Sequence, residues 1–344
     1  MLTVPRAIAL VGALCLAMLA LALGATRAVE RAHPGITKPE PEPFAPLRIP
    51  KIDVHQHLTP GTLEPALRVA QADGIGALVN LSGGAEGGDL DAQLAAAKPY
   101  GDRVIVFMNL DGEGCCGEAW VAREAARLAR GKALGARGLA VGQEPPGAGL
   151  TSRRGEPIWA ACAALGLPVA LGEMGTTGER IRLVERHPRI PFIGTNFWES
   201  PDDPAAVARL MDRIPNLWVD SAGSVLGLGS RPEAAREAIL AHPDRVLFGT
   251  GIRYVEAGDQ QGIVLGAGEP ILYDPKLLGG EDRYTFFASA FRFFETRDTE
   301  IPSPTPSLGD RTLRGIGLPR EVLQRVYHRN AERLLGMRAP GTDD

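Results

Sequence analysis

The sequence predicts an α/β fold of the closed (β/α)8 TIM-barrel type, and two observations carry that expectation. From Lys51 onward, short runs rich in Val, Ile, Leu and Phe alternate with longer amphipathic stretches, and the short runs number eight. Eight β-then-α units in one chain make a closed parallel barrel the leading architecture, with an open doubly wound sheet as the alternative. The Gly-x-Gly-x-x-Gly turn that a dinucleotide-binding open sheet carries after its first strand is missing, which favours closure.

Two segments precede the barrel. Residues 1–28 hold Arg6 followed by the uncharged stretch Ala7–Gly24. Its length falls between the apolar core of about 7–15 residues in a cleavable signal and the roughly 17–25 of a spanning helix. It reads as a signal peptide or an N-terminal membrane anchor. Ala28, with Thr26 two positions earlier, offers a weak small-x-small cleavage site. Residues 29–50 form a Pro-rich spacer, since six prolines between Glu30 and Pro50 remove backbone donors and favour extended geometry. The barrel is placed at 51–338 and a short tail at 339–344.

The candidate strands are 51–57, 76–82, 103–109, 136–141, 167–171, 190–195, 216–221 and 245–250. Helices are expected between them. Glu118–Lys132 has Ala, Leu and Val recurring at three- and four-residue spacing, and Pro204–Ile214 has Ser200 and Asp202 as candidate caps. After the eighth strand come a Gly-rich insertion at about 252–281, the aromatic helix-like run YTFFASAFRFF and a terminal helix over Pro319–Leu335.

Composition narrows the function classes. Hydrophobic residues make up 44% and charged residues 23%, ordinary globular usage, so the chain can bury a core. A net charge of −4 without a long Lys/Arg run gives no electrostatic reason to expect nucleic acid. The N-terminal segment points to export, with the barrel periplasmic or membrane-anchored facing outward. Cys162 sits in a helix-like run as a small buried residue. Cys115 and Cys116 are adjacent, and in an oxidising compartment a vicinal disulfide is open to them.

The chemistry-bearing pattern is His55-Gln56-His57 at the end of the first strand. Residues two apart on a strand point to one side, so both imidazoles enter one site on the face where barrel enzymes place their chemistry. Neutral imidazole is a common ligand of divalent metals, and two hydrogen-bonded histidines filling the mouth are the alternative. Asp53 beside them reads as an acceptor for neighbouring backbone or histidine donors.

IDVHQHL resembles the first-strand motif of the amidohydrolase-related family, a branch of the amidohydrolase superfamily. GARGLAV, PIWAACAALGLPV, HPRIPFIGTNF, IPNLWVDSAG, HPDRVLFGTGI, FRFFET and GLPREVLQRVYHRNAERLLG follow the family's phrases in order over roughly 51–336. The resemblance implies a barrel that binds one divalent metal, often zinc, for hydrolysis or non-oxidative decarboxylation. His55 and His57 match the family's first-strand ligands. Ala140 stands where the resemblance implies lysine, Gly172 and Asn196 where it implies histidine, and Gly251 where it implies the metal-linked aspartate. A catalytic zinc usually takes three protein ligands and a water, and two histidines do not complete that set.

Two readings follow. In the leading one the chain is catalytically degenerate and keeps the barrel as a module for a small-molecule ligand, with zinc weakly bound or absent. In the other, a rearranged site on His55, His57 and a carboxylate still works as a hydrolase or decarboxylase. Glu173, beside the vacated Gly172, and Asp220, ending the seventh strand, are the candidate carboxylates; as plain structure, Glu173 is a solvated loop residue and Asp220 caps a turn.

Overall fold

The computed structural model describes residues 44–257, 260–265, 281–303 and 312–338. The export segment, most of the Pro-rich spacer, the later part of the Gly-rich insertion and the tail at 339–344 lie outside the described residues. Among the described residues no helix is long and apolar enough to cross a membrane.

Eight parallel strands appear where the apolar runs predict them. They are β1 (Lys51–His57), β2 (Ile75–Asn80), β3 (Val104–Met108), β4 (Gly138–Gln143), β5 (Val169–Glu173), β6 (Phe192–Gly194), β7 (Leu217–Asp220) and β8 (Val246–Leu247), in consecutive order. Every neighbouring pair is parallel. β8 is only two residues long because the chain changes partners there. Val246 and Leu247 pair with β7. The next residues turn to β1, with Val54 N donating to Phe248 O at 3.0 Å and Gly251 N to His55 O at 2.9 Å. β9 (Ile252–Ala257) then runs parallel to β1, matching Gln56 to Ile252 and His57 to Arg253, and β10 (Gln260–Leu265) folds back antiparallel to it. This handover joins the last strand of the series to the first and excludes the open-sheet alternative.

The strands bury both faces, as parallel strands under helices must. Val54, Val79, Phe107 and Ile193 fill the interior, and Ala331 and Leu335 from the terminal helical segment join the same core. Asn330 Nδ2 ties that segment down by donating to Pro243 O and Val246 O, both at 2.8 Å.

Two local expectations shift. The helix expected from Glu118 runs on to Leu134, where Gly135 at φ +121° takes a conformation that suits glycine. The helix Pro204–Arg213 is capped by neither Ser200 nor Asp202. Asp203 does it, accepting from Ala206 N at 3.1 Å, because proline in the first helical turn makes the residue just before it the cap.

Asp53 fastens the closure. It is fully buried and accepts from His55 N at 3.1 Å, Gln56 Nε2 at 2.5 Å, Thr250 N at 3.0 Å and Thr250 Oγ1 at 2.5 Å. One carboxylate thereby joins β1 to the turn after β8. Asp53→Ala should strand several buried donors and cost about 3 kcal/mol or more in urea unfolding. A loss below about 1 kcal/mol would show that the closure rests on other contacts.

Candidate functional site

The site lies at the C-terminal ends of the strands. Strand alternation points His55 and His57 the same way, and the structure brings them together, with the two Nε2 atoms 3.2 Å apart. Each ring's other nitrogen has its own partner. His55 Nδ1 lies 2.9 Å from Asp220 Oδ2, and His57 Nδ1 lies 2.8 Å from Ser82 Oγ. The result is one chain of hydrogen bonds from the end of β7, through both imidazoles of β1, to Ser82 in the loop after β2.

Asp220 does more than cap a turn. It is fully buried, and its second oxygen accepts from Asn196 N and Ala222 N, each at 3.0 Å. Burial works to discharge His55. The charge and hydrogen bond of Asp220, with the charges of Asp53 and Glu199, outweigh it and hold the imidazole pKa above its usual value. Burial, then the charges on His55 and Arg253, push His57 down to about 3. The protonated arrangement is therefore His55 donating to both Asp220 and His57, with His57 neutral and donating to Ser82.

Around this chain opens a cavity of about 780 Å³ lined in part by Ala140, Gly172, Glu173, Asn196, Glu199, Gly251 and Arg253. All four vacated positions thus face one space. Two of them are closed to ordinary side chains. A Cβ on Gly172 would lie 2.6 Å from the Gly142 carbonyl oxygen, a backbone atom that cannot swing aside. Gly251 holds φ +74°, where an L side chain is strained. Arg180, buried behind β5, donates to the Gly172 carbonyl at 3.0 Å and fixes that corner from the other side.

Asn196 begins a feature with no precedent in the sequence pattern. Asn196, Phe197, Trp198 and Glu199 have φ of 51°, 54°, 60° and 55°, one left-handed turn of non-glycine residues. Such residues avoid this region by roughly 1–2 kcal/mol each. The turn is held by Asn196 N on Asp220, by burial of Phe197 and Trp198, and by the Arg180 guanidinium 5.1 Å from the Trp198 ring centroid. It sets Glu199 at the cavity, where its carboxylate accepts from Thr195 Oγ1 at 3.1 Å and Asn196 Nδ2 at 3.3 Å. Burial raises the Glu199 pKa, the hydrogen bonds from Asn196 and Thr195 oppose it, and the nearby charge of Glu173 adds to the rise.

The residues singled out in the sequence end up in different places. His55, His57 and Asp220 join in one hydrogen-bonded chain. Glu173 is exposed on the cavity rim and makes no hydrogen bond to either imidazole among the described residues. Cys115 and Cys116 are paired as a vicinal disulfide in the loop after β3. Ser82, Glu199 and Arg253 were missed. Ser82 and Glu199 follow strand ends, a position that could have flagged them.

The metal of such barrels does not fit this arrangement. Among the described residues no three His, Cys, Asp or Glu side chains converge to hold an ion. Asp220 is already committed to one imidazole and two backbone donors.

A family model described as amidohydrolase matches residues 43–337. No curated protein matches the sequence. Among solved structures, an uncharacterized TIM-barrel protein from Bordetella bronchiseptica is similar at 16% identity and a TM-score of 0.52, over 84% of this chain and 99% of that one. An amidohydrolase from Burkholderia multivorans with bound zinc is similar at 14% identity and a TM-score of 0.52, over 83% of this chain and 99% of that one. At such identities the likeness establishes the fold.

The raised His55 pKa has a consequence for stability. Its contribution is full below the unfolded value of about 6.5 and is lost as pH rises through the folded value. Asp220→Asn removes the charge that raises it, so the variant's deficit in Tm should be larger near pH 5.5 than near pH 9. Equal deficits at the two pH values would mean that His55 is neutral throughout.

Proposed function

The chain belongs to the amidohydrolase family, and on that premise we propose that it has given up the family's metal-assisted chemistry and keeps its barrel mouth as a small-molecule-binding module at the cell envelope. One observation carries this reading: a histidine at 172 would drive its Cβ into the Gly142 backbone, and an aspartate at 251 would have to hold a left-handed conformation. A site that had merely lost its ligands by substitution would leave room for their return. Here the Gly142 carbonyl occupies the place of a Cβ at 172, and position 251 has a left-handed backbone. The remaining imidazoles are satisfied by Asp220, Ser82 and each other. The placement at the envelope, by signal peptide or retained anchor, is supported by the apolar stretch Ala7–Gly24 alone.

A second reading, a working hydrolase or decarboxylase with a rearranged metal site, is favoured by one distance. Two nitrogens at about 2.0–2.1 Å from a tetrahedral zinc lie roughly 3.3 Å apart, close to the 3.2 Å between the Nε2 atoms. That reading needs Glu173 or Glu199 to supply a third ligand.

Metal content separates the two. The full-length protein should carry well under one equivalent of zinc, manganese or iron, and Gly172→His with Gly251→Asp should gain none while unfolding at a lower temperature than the parent. One tightly held equivalent in the parent would support the rearranged site instead. The export part is tested separately by cell fractionation, where untagged protein recovered from the cytoplasm with Met1 intact would contradict it.

A further inference from the structure

Two charged groups at the cavity have no hydrogen-bonded or ion-paired partner among the described residues: Arg253 and Glu173. Arg253 sits on β9 beside His57, and its positive charge is felt by that imidazole. Glu173 ends β5, and its negative charge is felt by Glu199, which the left-handed turn presents after β6. β5 is the fifth of eight consecutive strands and β1 the first, so closure sets them on opposite sides of the mouth. The cavity between them, about 780 Å³, falls in the range of small-molecule sites.

Charge complementarity then narrows the ligand. A dianion would satisfy Arg253 and be repelled by the two carboxylates opposite. A simple amine would do the reverse. An α-amino acid carries both charges on one carbon, whereas the two walls lie on opposite sides of the mouth. Gln143 on β4 and Thr195 and Asn196 after β6 flank the carboxylate wall and line the same cavity, offering uncharged donors and acceptors beside it.

We propose that the cavity binds a small zwitterion lengthwise, its carboxylate against Arg253 and its ammonium against Glu173 and Glu199. A dipeptide or an ω-amino acid carries its two charges on opposite ends of an extended chain. The proposal rests on the binding-module reading above and names the chemical class of its ligand.

Calorimetry on the full-length protein tests it with alanyl-alanine, 6-aminohexanoate, N-acetyl-alanyl-alanine and alanyl-alaninamide as probes. At least one of the two zwitterions should bind. Blocking either end of alanyl-alanine should weaken binding about tenfold or more, the scale of one charge-assisted contact. Arg253→Gln should weaken alanyl-alanine similarly and add no loss for the amide, and Glu173→Gln should do the same with respect to the acetylated peptide. Thermal unfolding of both exposed-site variants, expected to match the parent, shows that they fold. The proposal is overturned if neither zwitterion binds, if the blocked peptides bind as well as the free one, or if Arg253→Gln weakens the amide equally. Cleavage of alanyl-alanine that a chelator abolishes would support the zwitterion site and overturn the reading without metal chemistry, so the two failures are distinguishable.

Discussion

Asp220 is the acceptor on which the barrel mouth depends. Its two oxygens gather an imidazole from β1, the first amide of the left-handed turn after β6 and an amide from the loop after β7. Each of these would otherwise be a buried or strained group without a partner, and such groups cost roughly 1–3 kcal/mol apiece. One carboxylate therefore sets the orientation of His55, and through His55 that of His57. It also anchors the turn that carries Glu199 to the cavity.

In the proposed reading, this hydrogen-bonded organisation takes over what a divalent ion does in a metal-holding barrel. An ion draws lone pairs toward itself and orients the side chains that bear them. Here the lone pairs and N–H groups of the imidazoles are directed to one another and to Asp220 and Ser82. The glycines complete the change. With no side chain at 172 or 251, the cavity is lined there by backbone, and the charges of Arg253, Glu173 and Glu199 stand around it.

Much of the fold was legible because strands buried on both faces read as continuous apolar runs, and eight of them recur at regular spacing. The two-residue β8 was less legible, since its brevity comes from a change of hydrogen-bonding partner at Phe248 that no local pattern encodes. The cap at Asp203 was within reach, given Pro204 after it. The left-handed turn was not: asparagine tolerates that region, but Phe197, Trp198 and Glu199 are held there by burial and by Asp220. His55 and His57 stood out as a pair of imidazoles two apart at a strand end, and the vacated positions were found by resemblance to known motifs. Glu199 and Arg253 lie at positions where those motifs gave no reason to look, and only barrel closure brings them to one cavity with Glu173.

In the proposed reading, hydrogen bonds and not a metal ion organise the two imidazoles. Long-range proton–nitrogen NMR of the histidine rings, recorded before and after one equivalent of zinc, tests it most directly. The expected result is a His55 ring that keeps protons on both nitrogens to higher pH than a free imidazole, a His57 ring with a bare Nε2 and a protonated Nδ1, and spectra unchanged by zinc. Loss of the ring proton from His55 Nε2, with nitrogen shifts of both Nε2 atoms complete at one equivalent of zinc, would contradict it.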